Sequence, residues 1–172
     1  MKKYKINAIP YQHPELDKWR ENFTGIQYLH QKTGLLITGA IDDIWINPKK
    51  ELHVVDYKST STKEEISLES KYKIGYKTQM EIYQWIFKQK GFSVSDIGYF
   101  VFANASKERD KFDSKLEFEM SIIEYKGNTE WVENTIEEIA DCLNKEEIPK
   151  SNQDCLYCNY VASVENAEKS PF

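Results

Sequence analysis

Cysteine is scarce in this chain and late. Of 172 residues only three are cysteines, Cys142, Cys155 and Cys158, and none precedes residue 142. Long apolar runs are absent. None approaches the ~20 residues that span a bilayer, and the opening "MKKYKINAIP" lacks the apolar stretch of a secretory signal. The expected setting is therefore cytoplasmic, with no membrane contact. In that reducing compartment the three thiols are not expected to form structural disulfides. Internal repeats and low-complexity stretches are missing too. Nor is there an excess of positive charge: 23 Lys and Arg stand against 28 Asp and Glu, a net charge of −5. The overall electrostatics thus do not mark a partner for nucleic acid.

What is present fits a folded domain with a sizeable core, 40% apolar and 30% charged. One domain over residues 1–164 is expected, with 165–172, "ENAEKSPF", as a flexible polar tail. The charge is unevenly placed. From Asn128 to Lys169 acids outnumber bases ten to three, whereas "KYKIGYK", residues 71–77, has three lysines and no acid. Such a basic strip can hold a phosphate backbone on an acidic protein. Its plainer role is to solvate the start of a helix.

"HPELDKWRENF" predicts a short helix opened by Pro14. "GIQYLHQ", "LLITGAIDDIWIN" and "LHVVDYKST" predict three strands joined by the short turns "KTG" and "NPKK", hence an antiparallel meander. A helix over about Ser70–Lys90 follows, stopped by Gly91. Two more strands, "DIGYFVFANA" and "KLEFEMSIIEY", precede a last helix from about Thr129 to Asn144. There Val132, Ile136, Ile139 and Leu143 share a face. The pattern predicts an α+β or mixed α/β fold, a central mixed sheet flanked by helices.

The stretch "ELHVVDYKST" starts as a buried strand and ends in charge. Asp56 and Lys58 are two apart and so share a face with Leu52 and Val54. If the preceding turn centres on Lys49, opposed residues sum to 98, which places Asp42 opposite Asp56. A slip of one would substitute Asp43 or Ile41. Two opposed carboxylates on an apolar sheet repel each other. A divalent cation removes the conflict, since Mg²⁺ takes hard oxygen ligands and often only one or two carboxylates. A lysine beside the cation can position attacking water and offset charge on phosphorus. That chemistry is metal-assisted hydrolysis of a phosphodiester. Alone, Asp-x-Lys is common and usually marks a solvated strand end. The approach "GAID", the acid one strand earlier and the following helix tip the balance. On that helix Gln79 and Tyr83 stand at i and i+4, two polar tips on one face.

Together "GAIDDIWIN", "LHVVDYKST" and "QMEIY" resemble the PD-(D/E)XK nuclease superfamily, in its RecB-like branch, over about residues 23–105. That resemblance implies a restriction-endonuclease-like core, Mg²⁺ or Mn²⁺ as cofactor and DNA as substrate. It implies Asp42, Asp56 and the Tyr57 backbone carbonyl as metal ligands, with Asp43 a neighbour and not a ligand. Lys58 becomes the catalytic lysine, with Gln79 and Tyr83 the substrate-side pair. Lys71, Tyr72, Lys73, Tyr76 and Lys77 would carry the DNA backbone, with Tyr72 or Tyr76 stacking on an unpaired base. Roles in DNA repair, recombination or phage- or CRISPR-related processing follow, alone or within a larger nuclease–helicase or phage-encoded assembly.

The branch usually adds an upstream helix whose histidine or glutamate reaches the metal. His13 is the upstream histidine in a helix-like segment, while His30 is expected to be structural or exposed. Relatives such as the AddB and CRISPR-adaptation exonuclease domains bind an iron–sulfur cluster. Cys155 and Cys158 in "CLYCNY" look like part of its later cysteine group. A CxxC alone is too few ligands, so these are read as a partial site, without a bound cluster unless further cysteines are supplied. Cys142 lies on the last helix, where it can be plain core. Two alternatives stand beside the nuclease: a nucleic-acid-binding module that kept the fold without catalysis, and a CxxC redox or zinc protein.

Overall fold

The computed structural model describes residues 2–70, 73–107 and 114–169. The chain divides into two compact units, Met1–Glu137 and Glu138–Phe172. In the first, strands β1 (Ile9–Pro10), β4 (Asp43–Ile46), β5 (Leu52–Thr60), β6 (Ile97–Ala105) and β7 (Phe118–Lys126) form one sheet in the order β1-β4-β5-β6-β7. β5 and β6 run parallel, which requires a crossover; helix α2 (Ile74–Gln89) supplies it. The other pairings are antiparallel. A separate hairpin is made of β2 (Ile26–Leu29) and β3 (Leu36–Gly39). This is the expected mixed class, a central mixed sheet flanked by helices.

Alternation along β5 sorts its residues onto two faces. Leu52 and Val54 join Ile44, Phe100 and Phe102 in the main core, against Met80, Tyr83, Ile86 and Phe87 of α2. Val55 faces the other way, into a smaller core with Ala8, Trp45, Tyr99 and Val101. Helix α3 (Glu130–Leu143) enters the main core through Val132 and Ile136. β4 and β5 pair as Asp43↔Val55, Ile44↔Val54, Trp45↔His53 and Ile46↔Leu52, the register in which indices sum to 98.

Three features depart from the sequence expectation. The meander is not continuous, because the strand expected over residues 35–47 breaks at 40–42 into β3 and β4, which belong to different sheets. Strand β1 was not expected, and a two-residue edge strand leaves little signal. The second unit contains a helix that was not expected, α4 (Leu156–Lys169). Ala, Glu and Lys there are strong helix formers, which a polarity criterion overlooks. No helix among the described residues is long and apolar enough to cross a membrane.

Candidate active site

The break between β3 and β4 shapes the site. Gly39 ends β3, and a Cβ there would come within 2.3 Å of the Tyr83 ring. Only glycine lets that ring settle on the strand. Gly25, at φ +61°, allows equally close passage of β2 over the Gly39 carbonyl. Beyond Gly39 the chain is held by three bonds. The Tyr83 hydroxyl donates to the Ala40 carbonyl at 2.7 Å, the Ile41 amide to the Trp19 carbonyl at 3.1 Å, and Arg20 Nε to the Asp42 carbonyl at 2.9 Å. Trp19 and Arg20 lie on α1 (Leu16–Arg20).

Because β4 begins only at Asp43, β5 from Asp56 onward has no antiparallel partner among the described residues. Its polar end opens there. Asp42 is exposed, and its Oδ2 accepts the Tyr57 amide at 2.7 Å. Asp56, on the α2 side of the sheet, is 4% exposed. Burial pushes the Asp56 carboxyl above its ordinary range; the Lys58 bond and charge pull the other way, and the Asp42 charge adds to the rise. Lys58 Nζ lies 2.7 Å from Asp56 Oδ1 and 2.6 Å from Oδ2. Only the approach to Oδ1 has hydrogen-bond geometry, so Oδ2 is buried without a donor directed at it. Lys58 also reaches Gln79 Oε1 at 3.4 Å, and Gln79 Nε2 donates to the Tyr83 hydroxyl at 2.9 Å. Asp42, Asp56, Lys58, Gln79 and Tyr83 therefore converge.

Asp43 is spent on structure. Its Oδ1 accepts Arg20 Nη2 at 2.8 Å and the Ile44 amide at 2.9 Å; its Oδ2 accepts the Tyr57 hydroxyl at 2.8 Å and Trp45 Nε1 at 3.3 Å. It lies on the opposite sheet face from Asp56, as alternation requires. Burial, with Asp43 accepting its proton, holds the Tyr57 hydroxyl up at about 12. Arg20 ties the Asp42 backbone to the Asp43 side chain. Sequence reasoning missed it, since nothing in a five-residue helix singles out one arginine.

A buried carboxylate with a lysine against it and a second carboxylate beside it suits a hard divalent cation. Among the described residues no three His, Cys, Asp or Glu side chains form a metal-holding group. A cation would rest on the two aspartates, with the Tyr57 carbonyl and water completing its oxygen shell, a set compatible with Mg²⁺ or Mn²⁺. His13 stacks on Trp19, centroids 4.3 Å apart, and its Nδ1 accepts the Glu15 amide at 3.2 Å. Those contacts give it a structural part. His30 is buried between Thr33 and Glu133, at 2.8 and 2.7 Å.

Of the basic strip, Lys71 and Tyr72 lie outside the described residues. Lys73 Nζ donates to the Ser67 carbonyl at 2.6 Å, and Lys77 pairs with Glu69 at 3.1 Å. Tyr76 turns its ring to Lys58, with Nζ 4.6 Å from the centroid. In the second unit Cys155 precedes α4, and its Sγ lies 3.5 Å from the Cys158 amide. Hydrogen bonds from Cys158 lower the Cys155 thiol, and the same pairing raises Cys158. Two such thiols do not fit the four-ligand demand of an iron–sulfur cluster.

Comparison with protein families matches residues 4–163 to a family described as the PD-(D/E)XK nuclease superfamily. No curated protein matches the chain.

Proposed function

The chain belongs to the PD-(D/E)XK nuclease superfamily, and from that premise we propose that it hydrolyses DNA phosphodiester bonds with Mg²⁺ or Mn²⁺. Asp42, Asp56 and the Tyr57 carbonyl hold the cation, which when bound supplies Lewis-acid polarisation of the phosphodiester. Lys58 presents an ammonium at the mouth of the site. It orients water and offsets charge developing on phosphorus, the positioning and electrostatic work that phosphoryl chemistry asks of a protein. Gln79 and Tyr83 keep the lysine and the 40–42 bend in place and face the substrate. Lys71, Lys73 and Lys77 provide the phosphate-binding edge, with Lys73 exchanging the Ser67 carbonyl and Lys77 exchanging Glu69 for phosphate. The RecB-like order of motifs supports work in DNA processing, in repair, recombination or phage- or CRISPR-related systems.

The observation that carries this reading is the Asp56 carboxylate, buried on the α2 side of the sheet with the Lys58 ammonium against it and the Asp42 charge beside it. Incubation of purified protein with end-labelled and internally labelled DNA tests it. Cleavage should require Mg²⁺ or Mn²⁺, stop with chelator and vanish in Asp56→Asn and Lys58→Ala. Full cleavage by a clean Asp56→Asn preparation would refute the assignment. DNA binding without cleavage in the wild type would identify a binding module instead.

A further inference from the structure

Lys58 poses a problem that the two aspartates do not solve. Its ammonium lies against both oxygens of Asp56, the carboxylate that a divalent cation would engage. A cation there draws on the same lone pairs and repels the ammonium. A lysine side chain has four rotatable carbons and loses considerable freedom when fixed. To stay in place it needs an attractive partner that is not itself a ligand. Gln79 Oε1, at 3.4 Å, is a weak one.

The Tyr76 ring is the other. Lys58 Nζ lies 4.6 Å from its centroid, inside the ~6 Å range of a cation over an aromatic face. The face is electron-rich but neutral, and a hard divalent cation does not take it as a ligand in place of oxygen. Tyr76 is three residues before Gln79 and seven before Tyr83, so all three share one face of α2. The ring is itself half-buried and lies 6.3 Å from the Phe100 ring. The contact with the lysine is made by the ring face.

We propose that Tyr76 is a positioning residue that holds the Lys58 ammonium by its ring face, leaving Asp56 free for the cation. The inference rests on the nuclease reading for its consequence in cleavage, and on contact geometry alone for its existence. It gives Tyr76 a different task from the base stacking expected of the strip.

Two readouts test it. In metal-free protein the Lys58 Cε protons, assigned by comparison with Lys58→Arg, should resonate upfield through the ring current. Tyr76→Phe should keep that shift and Tyr76→Leu should lose it. In cleavage assays Tyr76→Phe should stay within about twofold of wild type, while Tyr76→Leu should lose about tenfold in kcat with little change in KM. Tyr76→Met, which fills similar space without a ring face, serves if the leucine variant does not fold. An unshifted lysine in the wild type, or a phenylalanine variant as impaired as the leucine one, would overturn the proposal. A shifted lysine in a protein that cleaves no DNA would sustain the contact and remove the nuclease reading instead.

Discussion

Neighbouring aspartates should fail in opposite ways. Asp43 is 7% exposed and accepts four hydrogen bonds. Asp43→Ala leaves the buried Ile44 amide and Trp45 indole without acceptors, at roughly 1–3 kcal/mol each. Removing one partner of a buried ion pair costs about 3–5 kcal/mol, but the Arg20 side chain is 41% exposed and can turn to water, so that contribution is discounted. The expected loss is about 3 kcal/mol, a large share of the ~5–15 kcal/mol that holds a domain together. Asp42 is exposed and accepts one amide, from a tyrosine that is itself 49% exposed. Water can replace it, so Asp42→Ala should cost less than about 1.5 kcal/mol. Urea titration followed by tryptophan fluorescence reads both, with Trp45 beside the altered site. At an m-value of about 2 kcal/mol/M, Asp43→Ala should move the midpoint down by about 1.5 M and Asp42→Ala by well under 1 M. Cleavage should show the reverse order: lost in Asp42→Ala, partly kept in Asp43→Ala below its transition. Equal destabilisation by the two substitutions, or a larger effect from Asp42, would refute the division of labour.

Mg²⁺ or Mn²⁺ at a hundred times its dissociation constant should stabilise the wild type by about 2.7 kcal/mol, a Tm rise of roughly 5–10 °C. Asp56→Asn should show none, and a wild-type Tm that neither ion moves argues against the site. Gln79→Ala and Tyr83→Phe remove neutral hydrogen bonds worth about 1 kcal/mol. They should slow cleavage by about tenfold or less, and a Tyr83→Phe rate as low as that of Asp56→Asn contradicts their supporting role. Replacing Lys71, Lys73 and Lys77 with glutamine should flatten the dependence of log K on log salt by about two to three, near 0.7–0.9 per lost phosphate contact. An unchanged slope puts the DNA path elsewhere. Burial, and the 2.6 Å bond it donates to Glu81, raise the Tyr125 hydroxyl above its ordinary value of 10.0. Its stabilising contribution is complete below pH 10.0 and lost as pH climbs through the raised folded value. Denaturant midpoints should fall above pH 10.0 in the wild type, and more gently in Tyr125→Phe.

Much of the site was legible because it is local. Asp56-x-Lys58 shares a face by strand alternation, and Gln79 and Tyr83 share one by helical spacing. A short turn fixes the β4–β5 register, whose index sum of 98 follows from where the turn is centred. These relations depend on distances along the chain, and backbone geometry alone dictates them. Composition and pattern likewise determined the fold class. The tertiary structure decided what depends on distant partners. The strand expected over 35–47 breaks because Tyr83, Trp19 and Arg20 bind its backbone at 40–42, and none of them is near in sequence. Gly39 is required by a ring 44 residues away. The unlike fates of Asp42 and Asp43 follow from which sheet face meets Arg20 and which meets the mouth of the site. Tyr76 read as one more residue of a basic strip until packing turned its ring to Lys58. Periodicity assigns a side chain to a face, but only the closed fold determines which charge waits on that face, because long-range contacts form between surfaces that the sequence does not place side by side.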